Sequence, residues 1–457
     1  MRTKVVVSLG PSTSSAGVVA ELARAGASGF RINFAHGDRG LWSEFVEYVR
    51  RAEGVVGRPL TLIGDLVGSS VRIGDVCKSF RVGRGGSVEL VLSDRSCEEG
   101  VIPLPNRKVF ECIEEGDVVV MDDGRVRFRV TEASTDRAVL TALTDVVIKS
   151  RKALVVRGKA IDVPALTSKD LEDVKYACSE GFDYVGLSYV RSAESVKLLR
   201  SYIEDVGCGM GVIAKIETRE AVSRLQEIVR ASDAVLVARG DLGMNFNLEE
   251  IPRIQKLIVR TSREAGKPVI VATQLLESMI ENPTPTRAEV VDVTTAVSEG
   301  VDALMLTGET AIGRYPVEAV RWLSRIVRAA EEYVRAEPVR PSAQLKVMFA
   351  KGVVELAEDL NAKLITYSMH GNTARIVSSL RPAVRTYVGV PNHAVGRALA
   401  ILWGLEPVVI EAGSYEEGLS KTLNHLRDVG EVCLGDLVVM AYGMLGDRQA
   451  VKVMRVV

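Results

Sequence analysis

Apolar and polar positions along the 457-residue chain fall into two alternating textures. Short runs dense in Val, Ile, Leu and Ala recur at 4–9, 29–34, 60–65, 184–189, 211–217, 234–239, 268–273 and 303–307. Between most of them lie longer Ala-, Glu- and Arg-rich stretches with helical spacing of apolar residues, such as 14–25 and 169–180. A strand that is apolar at every position is covered on both faces, as in a parallel sheet wrapped by helices. Eight such strands is the number that closes a (β/α)8 barrel. Thr167 and Asp170, three positions apart, predict a capping box at the start of the helix over 169–180.

The rhythm breaks twice. From about 73 to 152 the helical period disappears, and alternating runs at 82–87, 87–92, 118–120, 125–130 and 138–143 predict a small all-β domain inserted after the third strand. At 337–341 two prolines predict a linker. Beyond it, strand-like and helix-like segments alternate again from 346 to 442, enough for a separate open α/β domain. The expected limits are 1–72 and 153–337 for the barrel, 73–152 for the insertion and 341–457 for the C-terminal domain.

Composition narrows the class. Hydrophobic residues make up 47% and charged residues 26%, which fits a globular core and excludes disorder. A formal net charge of -1 leaves no electrostatic footprint for nucleic acid or an anionic membrane. No apolar run approaches the roughly 18 residues that span a bilayer, and the opening apolar run breaks at Gly10-Pro11, so a cytoplasmic protein is expected. The six cysteines (77, 97, 112, 178, 208, 433) lack C-x-x-C spacing and read as reduced thiols, without a zinc site or disulfide frame. Arginine outnumbers lysine and glutamine is scarce, a composition of thermophilic sources or of GC-rich coding.

Barrel active sites lie at the C-terminal ends of the strands. There the sequence offers Arg31-Ile32-Asn33-Phe34-Ala35-His36-Gly37, Asp65, Lys215-Ile216-Glu217, Arg239-Gly240-Asp241-Leu242-Gly243, Thr273-Gln274 and Thr307-Gly308-Glu309-Thr310. Glu217 and Asp241, on adjacent strands, can share one hard cation such as Mg²⁺. Lys215 and Arg31 supply positive charge for an anionic group, and Gly240 and Gly243 let backbone approach a ligand. Metal, cations and backbone donors together are what phosphoryl transfer requires. Each group alone reads more simply as a solvated strand end or a turn; their conjunction on one rim carries the reading.

These blocks, with Val269 to Met279 and Asn282 to Glu289, resemble the signature segments of pyruvate kinases, in order, over nearly the whole chain. The resemblance implies a (β/α)8 TIM barrel, an inserted small β-barrel lid and a C-terminal open α/β regulatory domain. It implies transfer of the phosphoryl group of phosphoenolpyruvate to ADP with Mg²⁺ or Mn²⁺. Arg31 and Lys215 would bind the transferring group. Glu217 and Asp241 would hold the metal. Gly240, Asp241 and Thr273 would hold the substrate carboxylate, with Thr273 also in the proton relay to enolpyruvate. Arg72, His36 and Asn33 would lie near the nucleotide, and Asp123 would be the lid carboxylate. Asn33, Asp65 and Leu66 would form a residual monovalent site; with Ala35, Leu66 and Ser70 where the family has other residues, weak or absent K⁺ dependence is expected. Ser368, Gly371, Asn372 and Thr373 occupy the place of a phosphate-binding effector loop, and a homotetramer is expected. On the residues alone, two other classes stay open: a metal-dependent carbon–carbon lyase on a similar barrel, and a non-catalytic metabolite sensor.

Overall fold

The computed structural model describes every residue except 123, 334–343 and 443–448. Asp123 and the linker expected at 337–341 therefore lie outside the described residues. Eight parallel strands close a barrel: β1 (Lys4–Ser8), β2 (Ala27–Asn33), β3 (Thr61–Asp65), β4 (Tyr184–Leu187), β5 (Gly211–Ile216), β6 (Ala234–Ala238), β7 (Val269–Ala272) and β8 (Ala303–Leu306). Each pairs with its neighbours in sequence, and β8 returns to β1 with Lys4 opposite Ala303. All eight lie where the apolar runs predict them. Two of the expected strands end early at the rim for the same reason: the chain turns there. Tyr189 has φ 53°, and Thr273 and Gln274 have φ 70° and 53°.

The covering helices follow their sequence signals. Thr167 caps Ser168–Ser179 through a reciprocal box with Asp170, as expected. Asp170 is buried and also accepts from the Gly68 amide at 3.0 Å, so the cap ties this helix to the loop after β3.

The insertion folds as a six-stranded sheet with two additional strand pairs around one apolar core that includes Phe80, Leu90, Phe128 and Leu140. The run expected at 82–87 is instead a turn, because Gly83, Gly85 and Gly86 follow Val82 and Gly85 has φ 83°. A short helix, Arg107–Cys112, capped by Asn106, interrupts the β pattern.

The C-terminal domain carries a five-stranded sheet of four parallel strands and one antiparallel edge, Ala450–Arg455, which sequence reading missed. This domain seals the base of the barrel. Barrel-interior residues Val6, Ile63, Ile213 and Ile270 form one apolar cluster with Val388, Leu399, Ile401 and Leu405. Polar bonds frame that contact: Tyr184 donates to the Ala398 carbonyl at 2.7 Å, and Arg381 pairs with buried Asp302 at 2.6 Å.

The cysteine expectation is corrected. Cys77 is bonded to Cys97 and Cys178 to Cys208, leaving Cys112 and Cys433 free. The partners lie 20 and 30 residues apart, so local spacing holds no trace of them. Folding brings them together: Asp75–Val76 pairs with Arg95–Ser96, which sets Cys77 beside Cys97.

Candidate active site

The C-terminal rim of the barrel gathers a buried network of charge. Arg31, near the end of β2, donates to the Ser8 hydroxyl at 3.0 Å and through Nε to Asp65 Oδ2 at 3.1 Å, with a second, closer contact from Nη2 to the same oxygen. Lys215 on β5 reaches Asp65 at 3.3 Å, Glu217 at 3.1 Å and the Ser188 hydroxyl at 2.8 Å. Gly186 on β4 makes this possible. A methyl group there would sit 2.7 Å from Asp65 Oδ1 and 3.7 Å from the Lys215 stem.

Burial sets the electrostatics. It would push the Asp65 carboxyl up, but Arg31 and then Lys215 outweigh it and hold the group below the usual carboxylate range. Burial likewise opposes the Lys215 charge, and Asp65 and Glu217 overcome it, so its pKa is raised and Lys215 stays an ammonium. Glu217 is pushed up to about 7, first by burial and further by Asp241, with Lys215 compensating only in part.

Glu217 and Asp241 are braced together. The Tyr189 amide donates to Glu217 Oε2 at 2.7 Å, and its hydroxyl donates to Asp241 Oδ1 at 3.3 Å. The Asn245 side-chain amide donates to the Glu217 carbonyl at 2.9 Å and the Asp241 carbonyl at 3.3 Å. Among the described residues no group of three or more His, Cys, Asp or Glu is arranged to hold a metal. Two carboxylate oxygen donors suit Mg²⁺ or Mn²⁺, which take one or two protein carboxylates and fill the remaining positions from substrate and water. The raised Glu217 marks a buried acid pair short of positive charge, a deficit that such a cation relieves.

Thr273 follows β7 in a left-handed conformation that a β-branched residue rarely adopts. Buried Arg239 holds it there, donating to the Thr273 carbonyl at 2.7 and 3.1 Å and to the Gln274 carbonyl at 2.8 Å, while its other arm pairs with Asp292. The Thr273 hydroxyl accepts from the Gly240 amide at 2.9 Å. Gly240 and Asp241 open the short helix Arg239–Asn245.

The remaining expected residues are more scattered. Asn33 Oδ1 accepts from the Ala35 amide at 3.1 Å, and the Leu66 carbonyl accepts from Ser188 at 2.8 Å. His36 is exposed, and its carbonyl accepts from Trp42. Arg72 is exposed at the junction of barrel and lid and donates to Ser70 and to the Arg151 carbonyl, both at 3.0 Å. The lid rests on the rim: Arg125 pairs with Glu277 at 2.8 Å, and Arg157 donates to Asn247 Oδ1 at 2.9 Å. Ser368 and Thr373 are buried, Asn372 is exposed, and Gly371, at φ 78°, starts the helix Asn372–Ser379. That helix packs at the opposite end of the barrel, where Arg375 donates to the Tyr184 hydroxyl at 3.1 Å. Tyr189, Asn245 and Arg239 were not singled out for these roles by sequence. Only Arg239 left a signal, as an arginine at the end of an otherwise apolar run.

A (β/α)8 barrel whose C-terminal rim gathers an arginine, a buried lysine and a braced pair of acids has the architecture of the barrel enzymes, whose active sites lie at that end of the strands. The pyruvate kinase barrel-domain model matches residues 1–320, and the pyruvate kinase alpha/beta-domain model matches 348–457. The chain is 42% identical to a pyruvate kinase of Aeropyrum pernix, over 93% of this chain and 92% of that one. It is also 42% identical to one of Pyrobaculum aerophilum, over 93% and 90%. The crystal structure of the Pyrobaculum aerophilum pyruvate kinase superposes with a TM-score of 0.89 at 41% identity, covering 99% of both chains. A pyruvate kinase from Cryptosporidium parvum superposes at 0.92 with 30% identity, over 99% of this chain and 96% of that one. The chain belongs to the pyruvate kinase family, and pyruvate kinase activity is its function.

Proposed function

We propose that the rim network built on Asp65 is the phosphoryl-transfer site for phosphoenolpyruvate and ADP. The observation that carries this is the meeting of Arg31 and Lys215 on one buried carboxylate, with Lys215 also against Glu217. Asp65 fixes both cations at the rim, with Lys215 shared among Asp65, Glu217 and Ser188. Arg31 binds the phosphoryl group. Lys215, fixed by Ser188 and Asp65, places its positive charge where negative charge gathers on the transferring group. Glu217 and Asp241 would hold Mg²⁺ or Mn²⁺, which when bound supplies further charge neutralisation to the phosphoryl oxygens. The Gly240 amide, which donates to the Thr273 hydroxyl oxygen at 2.9 Å, would pass to a substrate carboxylate that the Asp241 amide and the Thr273 hydroxyl also hold. Thr273 would also take part in the relay that converts enolpyruvate to pyruvate. Arg72, His36 and Asn33 belong to the nucleotide side, under the lid.

Three features support weak or absent K⁺ dependence. Asp65 is neutralised by two protein cations, Asn33 Oδ1 accepts from Ala35, and the Leu66 carbonyl accepts from Ser188. Replacing K⁺ by tetramethylammonium should leave turnover within about twofold; strong stimulation by K⁺ would refute this. A homotetramer, a cytoplasmic setting and a phosphorylated effector at Ser368 to Thr373 complete the proposal. Lys215→Met tests the site: kcat should fall about 10²–10³-fold, the loss typical of one donor to developing charge, with phosphoenolpyruvate still bound.

A further inference from the structure

Tyr184 stands at the base of the barrel interior, 1% exposed, in the apolar cluster shared with the C-terminal domain. Its barrel neighbours in that cluster, such as Val6, Ile63 and Ile213, are apolar. Tyr184 adds a hydroxyl, and the C-terminal domain holds it from two sides. The hydroxyl donates to the Ala398 carbonyl at 2.7 Å and accepts from Arg375 Nη2 at 3.1 Å. Ala398 lies in the last turn of the helix His393–Leu399, where carbonyls lack partners within the helix. Arg375 lies in the helix Asn372–Ser379. Burial pushes the phenol above its ordinary value, with Arg375 opposing only in part, so the hydroxyl keeps the proton it donates. An apolar contact sets no direction, whereas two bonds to one hydroxyl fix a point.

The ring of Tyr184 fixes a second point. It lies on Gly211, its register partner at the start of β5: a methyl group at Gly211 would sit 2.5 Å from two ring carbons. Tyr184 therefore seats β4 and β5 together at the base. Alternation along β4 puts Tyr184, Gly186 and Ser188 on one side, toward the barrel interior. Four residues of strand carry the chain roughly 13 Å, from Tyr184 at the base to Ser188 at the rim. There Ser188 donates to the Leu66 carbonyl and accepts from Lys215 Nζ, both at 2.8 Å. Lys215 itself stands on β5, the strand on which the ring rests.

We propose that Tyr184 is a positioning residue for phosphoryl transfer: the C-terminal domain holds its hydroxyl, and β4 and β5 carry that constraint to Ser188 and Lys215. The inference rests on the reading of Lys215 as the cation on the transferring group. It makes two helices of the C-terminal domain part of the support of a site at the other end of the barrel.

Epistasis in the full chain tests this, with phosphoenolpyruvate, ADP and Mg²⁺. Tyr184→Phe removes the hydroxyl and keeps the ring on Gly211. Its kcat should fall about fivefold, the worth of one hydrogen bond, with KM for phosphoenolpyruvate within about twofold. Ser188→Ala removes the hydroxyl that links β4 to Lys215, and in that background Tyr184→Phe should cost no further kcat. A misfolded fraction would lower both backgrounds by the same factor, so the disappearance of the loss separates positioning from stability. Arg375→Met, read in the same two backgrounds, should repeat the pattern, and it decides alone if Tyr184→Phe does not fold. Equal losses in the two backgrounds, or wild-type kcat in Tyr184→Phe, would overturn the proposal while leaving the Lys215 reading intact. Near-normal turnover by Lys215→Met would overturn that reading, and the proposal with it.

Discussion

Tyr189 holds both proposed metal ligands at once, one through its backbone and one through its hydroxyl, from a left-handed conformation at φ 53°. Its role is therefore separable. Tyr189→Phe removes the bond to Asp241 and keeps the amide on Glu217. A hydrogen bond to a charged group is worth about 1.5–3 kcal/mol; at 3.3 Å the lower end applies. Mg²⁺ titration of activity should need roughly tenfold more metal at half-maximum, with kcat at saturating metal nearly unchanged. An unaltered Mg²⁺ requirement would show that the hydroxyl does not position Asp241. Sequence reading placed Arg31, Lys215, Glu217 and Asp241 at the rim because charge at a strand end is visible in a list of residues; Thr273 stood there only as the end of an apolar run, and its expected role came from the resemblance. The same reading missed Tyr189 and Asn245 because they act through a backbone amide, a hydroxyl on another residue's carboxylate and bonds to other residues' carbonyls. Neither the run at 184–189 nor Asn245 within its helix differs in pattern from ordinary structure.

At the scale of elements, the eight barrel strands were legible because burial on both faces leaves a continuous apolar run. The lid was less so. Its strands are short, one expected strand is a glycine turn, and the helix Arg107–Cys112 is too brief to show a period. The antiparallel strand Ala450–Arg455 follows residues 443–448 and alternates weakly, with most positions partly or fully exposed, so no apolar stripe announces it. The disulfides belong to this scale too. Cys77–Cys97 closes the loop between two paired strands, and Cys178–Cys208 ties a helix to the segment before β5. Loops of these lengths are each worth roughly 3 kcal/mol in the chain-entropy account. Thiol titration of the denatured, unreduced protein should find two of the six cysteines, Cys112 and Cys433, and all six after reduction. Six before reduction would restore the reduced-thiol reading.

For the whole molecule, the seam between the barrel and the C-terminal domain is an apolar cluster to which both domains contribute. Charged groups at its edge make it sensitive to pH. Burial pushes the Asp183 carboxyl up to about 7, offset only in part by Arg50 and the Leu62 amide. The unfolded chain would titrate near 3.9. Between these values the folded protein holds a proton that the unfolded chain has lost, so this contribution to stability declines as pH rises from about 4 to about 7 and is gone above that. Asp183→Asn keeps an acceptor for the Leu62 amide and removes the titration. Its stability relative to wild type should therefore improve between pH 5 and pH 8 in denaturant unfolding; a constant difference would show that Asp183 is charged throughout. The four parallel strands of the C-terminal sheet and its helices were readable in sequence. Their placement under the barrel was not, since residues such as Ile401 and Leu405 look like any others on an apolar segment.

The whole arrangement converges on one reaction, and pyruvate formation from phosphoenolpyruvate, ADP and Mg²⁺ by wild type and Lys215→Met tests it most directly. The wild type should turn over, and the variant should bind phosphoenolpyruvate with similar affinity while losing about 10²–10³-fold in kcat. Near-normal turnover by Lys215→Met, or a folded, metal-loaded wild type that binds phosphoenolpyruvate and forms no pyruvate, would contradict the account.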